Sequence, residues 1–100
     1  MGHKVIFSAQ SNRDLGQIVG FLAQKNPSAA ERLGNALVDH ALSLGAMPRV
    51  GAPVHERPQV RHLFHRPWFL IYYRIDDATR VVEIVRFWDV RQNPAGFSLV

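Results

Sequence analysis

The spacing of apolar residues changes once along this chain of 100 residues, and that change limits the fold more than any other feature. After a short apolar run, Lys4-Val-Ile-Phe7, apolar side chains recur every three or four residues up to about residue 44, which is helical spacing. From residue 60 onward, the segments are rich in β-branched and aromatic residues, which favour strands. The sequence therefore predicts one strand over about 3–8, then helices, then more strands.

Two helices are predicted in the first half. The first covers about residues 9–25 and starts at Ser8 or Ser11, where Ser11 and Asp14 have the spacing of a capping box. Asn26-Pro27 ends this helix and caps the second, over 27–44, with Gly45 as its stop. So short a connection makes the two helices an αα-hairpin. The second helix carries one apolar stripe: Ala30, Leu33, Leu37, Ala41 and Leu44.

Three strands are predicted over about 60–65, 68–75 and 80–88, joined by tight turns into an antiparallel meander. Phe69, Ile71, Tyr73 and Ile75 share the face assigned to the core, and the opposite face is expected to be open. In the last strand the faces are ambiguous, because Glu83 interrupts one and Arg86 the other. The proline-rich segment 46–58 is predicted to be a loop, and the tail from Val90 to be loosely held.

Composition favours one domain over 1–100, with a core over about 4–94 and a tail over 95–100. The chain is 47% hydrophobic, has no cysteine, and contains no apolar run of membrane-spanning length. We therefore expect a cytoplasmic protein without disulfides. The net charge of +4 is carried mostly by arginine, which suits phosphate or carboxylate partners, although a soluble surface of modest positive charge is the simpler explanation.

The histidines invite a metal site, but His62 and His65 are three apart on a strand and point to opposite faces, so structural roles are favoured. His55 beside Glu56 has the composition of an acid–base pair, against which a solvated loop is the simpler explanation. No metal or cofactor is expected. Trp68, Tyr72 and Trp88 are candidates for stacking on bases or receiving a peptide, unless the tail or a second copy covers them.

Six short motifs follow one another over about residues 4–94. They are Asp14-Leu15 with Ile18, Asn26-Pro27 with Ala29-Ala30, Leu44 with Pro48 and Gly51, Arg61-His62-Leu63, Ile71 to Ile75, and Val82 to Arg86 with Arg91. Their order and spacing resemble the RelE/ParE superfamily of toxins from type II toxin–antitoxin modules, which includes plasmid stabilisation proteins. The resemblance implies an α+β fold of order β-α-α-β-β-β, with a helical hairpin packed on one face of a mainly antiparallel sheet.

The superfamily has two activities, ribosome-dependent cleavage of messenger RNA by RelE-like members and inhibition of DNA gyrase by ParE-like members. Where the nucleases of the family carry basic residues, this chain has Arg61, Leu63, Leu70 and Arg91, and Phe97 lies near the position of a family tyrosine. Leucine neither donates a proton nor stabilises a phosphate. The resemblance therefore implies a non-enzymatic gyrase inhibitor, although Asp89 replaces a histidine that many ParE-like members carry.

Two alternatives remain at the sequence level. One is an endoribonuclease in which Arg61 and Arg91 stabilise the phosphate, and the other is a degenerate, non-toxic binding domain. The resemblance implies a cognate antitoxin, commonly acidic in its toxin-binding segment, with gyrase or the ribosome and its mRNA as the target, and a homodimer or hetero-oligomer is possible. For Arg74 and Arg86, charge that protects a strand edge is an equally good explanation. The partner-binding candidates are Arg61, Trp68, Tyr72, Arg74, Arg86, Trp88 and Arg91.

Overall fold

A helical hairpin covers one face of a five-stranded sheet in a computed structural model, which describes residues 2–99. The strand order is β1-β5-β4-β3-β2, with β1 parallel to β5 and every other pair antiparallel. The predicted fold class is confirmed. The elements are β1 (Lys4–Phe7), α1 (Ala9–Ala23), α2 (Pro27–Leu42), a 3₁₀ turn (Ser43–Gly45), β2 (Ala52–Val54), β3 (Arg57–His65), β4 (Phe69–Asp76), β5 (Val81–Asp89) and a second 3₁₀ turn (Pro94–Gly96).

Side-chain caps begin both helices. The Ser8 hydroxyl accepts the Ser11 N–H at 3.0 Å, and the Asn26 side chain accepts the Ala29 N–H at 3.0 Å, so each satisfies a donor left open in the first turn. The capping box predicted for Ser11 and Asp14 is wrong, because the Asp14 carboxylate turns toward the sheet instead. Within residues 2–99, neither helix has the length and hydrophobicity needed to cross a bilayer.

The segment predicted to be a loop over 46–58 contains β2 and the beginning of β3, so that prediction was wrong. Pro53 and Pro58 look like strand breakers in the sequence. Pro53, however, lies in β2, an edge strand, where a missing N–H donor is tolerated because one side of the strand has no partner. Pro58 lies near the start of β3, before the pairing of β3 with β4 begins at Val60. His55 and Glu56 form the turn between β2 and β3, and both are exposed.

The main core lies between the helices and the sheet. Phe69, Ile71 and Tyr73 of β4 are buried there, as predicted, and the apolar stripe of α2 packs against them. The Tyr73 hydroxyl donates to the Pro48 carbonyl at 2.6 Å and accepts the Gly51 N–H at 3.0 Å. A Cβ at Gly51 would lie 2.6 Å from that hydroxyl, so this close approach requires glycine.

A β-bulge in β5 explains why its faces were ambiguous in the sequence. Tyr72 pairs with Arg86 while Tyr73 pairs with Ile84, so one extra residue lies on β5 at this point. The bulge shifts the alternation of side chains by one position. Ile84 and Phe87, which would face opposite sides of a regular strand, are therefore both buried in the main core.

The start of α1 binds the backbone of this bulge. β1 ends opposite Ile84, and beyond that residue the helix provides partners for β5. The Ser8 hydroxyl donates to the Val85 carbonyl at 2.9 Å, and the Asp14 carboxylate accepts the Phe87 N–H at 3.2 Å. The same carboxylate accepts two N–H groups of the Arg86 guanidinium, each at 2.9 Å, which is a bidentate ion pair.

We expect Asp14→Asn to destabilise the fold strongly, because it leaves a guanidinium that is 12% exposed without its counter-charge. Removing one partner of a buried ion pair costs about 3–5 kcal/mol. The free energy of unfolding, measured in urea, should therefore fall by about 3 kcal/mol. Asp77→Asn is the matched control, because its exposed pair with Arg49 should contribute little. Equal losses in the two variants would contradict this assignment.

Candidate functional site

The sheet face turned away from the helices is not open, contrary to the prediction. Phe97 and Leu99 pack over a second apolar cluster that includes Val60, Tyr72 and Val85. The Arg86 guanidinium donates to the Ser98 carbonyl at 2.7 Å. The tail predicted to be loosely held therefore forms a packed segment over residues 94–99, which we call the C-terminal strap.

Two predicted aromatic residues lie under the C-terminal strap. The ring centroid of Phe97 is 4.9 Å from that of Tyr72 and 4.7 Å from that of Trp88. Burial raises the pKa of the Tyr72 phenol, so the hydroxyl keeps its proton at neutral pH. Cover by the tail was one of the two alternatives for these rings, and the structure shows that arrangement.

The arginines predicted on the strands are engaged within the chain. Arg86 is paired with Asp14, and Arg74 forms an exposed ion pair with Glu83 across β4 and β5. Arg61 is in register with Tyr73 and so lies on the helix-covered face, where its guanidinium donates to the Gly51 carbonyl at 2.6 Å. Arg86 thus contacts the C-terminal strap, Arg74 links β4 to β5, and Arg61 binds the loop before β2.

Arg91 and Trp68, two of the predicted partner-binding residues, lie in contact with each other. The Arg91 guanidinium lies 4.1 Å from the centroid of the Trp68 ring, which is a cation–π contact. The same group donates to both carboxylate oxygens of Asp89, at 3.0 and 2.7 Å. Hydrogen bonding to Arg91 lowers the pKa of Asp89, so this carboxylate is ionised at neutral pH.

A groove of about 740 Å³ runs from this pair between α1 and the adjacent end of the sheet. Phe21 forms part of its wall and is 65% exposed, and the Lys25 ammonium lies 5.4 Å from the centroid of the Phe21 ring. One cation thus lies beside an aromatic ring on the helix side, and a second beside Trp68 on the sheet side. The other lining residues are mostly apolar and include Ile18, Leu22, Leu33, Pro67 and Phe69.

Sequence reasoning missed the helix side of this groove. Phe21 and Lys25 were not among the predicted site residues, although the position of Phe21 in the helix could have identified it. It lies off the stripe formed by Leu15, Ile18 and Leu22, on a face of α1 that should be polar. A large aromatic side chain outside the buried stripe of a helix is a reason to look for a binding surface.

The candidate catalytic residues Arg61 and Arg91 do not converge on one point. Arg61 lies opposite Tyr73, whereas Arg91 covers Trp68, five residues earlier, and five residues of strand span about 16 Å. Leu63 packs against the main core and Leu70 against the second cluster, so the two leucines at the family's basic positions are structural.

The histidines do not form a metal site in residues 2–99, where no group of three potential ligands converges. His62 stacks on Tyr72, with ring centroids 5.8 Å apart, while His65 points to the opposite face and contacts His40 of α2. Their predicted separation onto two faces is confirmed. His55 and Glu56 are both exposed in the turn between β2 and β3, as expected for a solvated loop.

Comparison with known proteins identifies similar folds. A family model described as ParE toxin of type II toxin–antitoxin system, parDE, matches residues 5–94. A chain of the chromosomal ParDE system from P. aeruginosa is 22% identical with a TM-score of 0.76, and the match covers 88% of this chain and 96% of that one. No curated protein matches the chain.

Two further solved structures are similar. A chain of a RelBE toxin–antitoxin complex from Mycobacterium tuberculosis is 28% identical with a TM-score of 0.69, covering 89% of this chain and 99% of that chain. A mutant of E. coli toxin RelE in the free state is 18% identical with a TM-score of 0.54, covering 89% and 84%. The similarity to RelE is one of fold alone.

Phe97→Ala should destabilise the protein by about 1–2 kcal/mol, less than the ~3–5 kcal/mol lost at a fully buried phenylalanine, because Phe97 is half-buried. It should also increase the binding of a hydrophobic dye, because Tyr72 and Trp88 become accessible. The measurements are urea unfolding and dye fluorescence. Phe21→Ala is the matched control and should change stability by less than about 0.5 kcal/mol. If the two substitutions cost the same, the C-terminal strap is not a stabilising cover.

Proposed function

This chain belongs to the ParE toxin family of type II toxin–antitoxin systems, and we propose that it arrests growth by binding DNA gyrase, without catalysing a reaction. The observation that carries this proposal is the engagement of the candidate arginines within the chain. Arg61 is bound to the Gly51 carbonyl, and Arg91 to Asp89 and the Trp68 ring. RNA cleavage needs groups that stabilise developing phosphate charge at one position, and these two guanidinium groups are held apart.

Proton transfer has similarly little support. Cleavage through the 2′-hydroxyl needs a base for that group and an acid for the leaving oxygen. Tyr72, the tyrosine on the face that the nucleases of the family use, lies under the C-terminal strap with a raised pKa. Leu63 and Leu70 supply neither function. Binding without chemistry is therefore the activity that these side chains favour, in the cytoplasm, where gyrase acts.

A cognate antitoxin is the second proposed partner, and the groove between α1 and the sheet suits it. The walls are mostly apolar, and Lys25 provides a positive charge on the helix side, whereas the charge of Arg91 on the sheet side is paired with Asp89. An amphipathic segment with apolar residues on one face and carboxylates at its edges would complement both features. Two structures similar to this chain come from toxin–antitoxin systems, ParDE and RelBE, which supports such a partner.

Induced expression in bacteria should stop DNA synthesis before protein synthesis and should leave transcripts intact. The purified protein should also inhibit supercoiling by purified gyrase and leave mRNA uncut on purified ribosomes. Labelled thymidine and amino-acid incorporation, with primer extension on a test transcript, make the comparison. An early fall in translation with cleaved transcripts would support the ribonuclease alternative and refute the proposal. Normal growth at a confirmed level of folded protein would support the degenerate domain instead.

Phe21→Ala should weaken binding of the antitoxin encoded beside this chain by about five- to thirtyfold, since aromatic residues in apolar pockets contribute about 1–2 kcal/mol or more to an interface. Calorimetric titration measures this affinity. Met47→Ala is the matched control, because Met47 is an apolar residue of similar exposure, 62% against 65%, and is not among the residues that line the groove. Equal affinities for the wild type and Phe21→Ala would place the antitoxin elsewhere.

A further inference from the structure

His40 of α2 and His65 of β3 are joined by a direct contact between their rings. The two Nδ1 atoms lie 2.7 Å apart, which is hydrogen-bond distance, and the ring planes are inclined by 52°. The ring centroids are 5.0 Å apart, which is the Nδ1–Nδ1 distance plus about one ring radius at each end. The two nitrogen atoms therefore point at each other along a nearly straight line, with room for one hydrogen between them.

This geometry limits the number of protons that the pair can hold. Two neutral rings form the contact when one carries its hydrogen on Nδ1 and the other on Nε2. One added proton is compatible with the contact, because a cationic ring donates to a neutral one. A second added proton places an N–H on both Nδ1 atoms and a positive charge on both rings. The contact then has two donors and no acceptor, and it must open.

Nearby charges do not compensate the second proton. Asp39 is the adjacent charged residue on α2, and Arg66 follows His65 in the turn after β3, and within residues 2–99 neither forms an ion pair with the two rings. From β4, the side chain in ring contact with His65 is the apolar Phe69, at 6.4 Å. Burial, and secondly the charge of His40, lower the pKa of His65 below its usual value.

The pair lies at the border of the groove. His65 is the last residue of β3, and the turn that follows carries Pro67 and Trp68 into the groove wall. Phe69, which contacts the His65 ring, lines the same groove. Opening the contact between His40 and His65 would therefore release the end of β3 from α2 at the point where this wall begins.

We propose that the contact between His40 and His65 is a pH-dependent switch, which we call the lock. While the contact is intact, it fixes the part of the groove wall that contains Pro67 and Trp68. Above about pH 6.5, the usual pKa of histidine, the lock is closed. At lower pH the unfolded chain binds two added protons at these residues, whereas the closed pair binds one. Stability is thus fully present above the unfolded pKa and is lost as the pH falls below it. The lock goes beyond the proposed function, and its test needs neither gyrase nor an antitoxin.

The first experiment measures urea unfolding between pH 7.5 and 5.0 for the wild type, His65→Asn and His55→Asn. Asparagine keeps a polar group at the position but does not titrate. Because the unfolded chain binds one more proton than the closed pair, the unfolding constant should rise about tenfold for each unit by which the pH falls. His65→Asn should lose this dependence below pH 6. His55→Asn, which removes an exposed histidine of a turn, should keep it. Parallel profiles for all three proteins would overturn the proposal.

A second measurement uses the intact pair and needs no change to either histidine. Trp88→Phe leaves Trp68 as the single tryptophan, since the chain contains two. Its emission should shift to longer wavelength between pH 7 and 5 as the wall opens and Trp68 meets more water. In parallel, histidine NMR should show one ring of the pair titrating well below the other. Emission that does not change with pH, or two rings that titrate together near pH 6.5, would refute the lock.

Discussion

The Asp14 carboxylate connects α1 to the irregular part of β5, and the arrangement of both sheet faces depends on it. It accepts the Phe87 N–H beyond the end of β1, and it neutralises the Arg86 guanidinium. Because that guanidinium also donates to the Ser98 carbonyl, one ion pair joins the helical layer, the sheet and the C-terminal strap. A buried charge of this kind stabilises only while every partner is present, so the three parts of the structure depend on one another.

Local patterns were sufficient for much of the fold. The caps at Ser8 and Asn26, the stripe of α2 and the core face of β4 follow from the spacing of a few residues, and each is confirmed. The bulge in β5 was not predictable, because an extra residue in a strand is defined only by the register of the strand beside it. β2 was missed for a related reason, since a proline is excluded from a central strand but not from an edge, and position in the sheet is not a local property.

The site was harder to predict than the fold, because the availability of a charge depends on tertiary contacts. The resemblance identified the family, but the sequence does not show which of the ten arginines have partners within the fold. Arg61 is bound to a carbonyl ten residues away, and Arg86 to a carboxylate 72 residues away. The contact between His40 and His65 likewise spans 25 residues and joins different elements. Phe21, an aromatic residue outside its helix stripe, does carry a local signal, although it was not among the predicted site residues.

The internal contacts of the arginines also affect whether these groups are available for catalysis. A catalyst must stabilise the transition state more than the ground state, so groups already satisfied in the free protein must exchange those bonds before they contribute. Here Arg61 and Arg86 would have to leave the Gly51 carbonyl and Asp14, which would weaken the fold itself. The apolar part of the groove beside α1 requires no such exchange, since Phe21 and Trp68 are exposed already, whereas Arg91 at its edge is paired with Asp89. The proposed binding activity is consistent with a chain that uses its sheet-face charges for stability and leaves an apolar groove exposed.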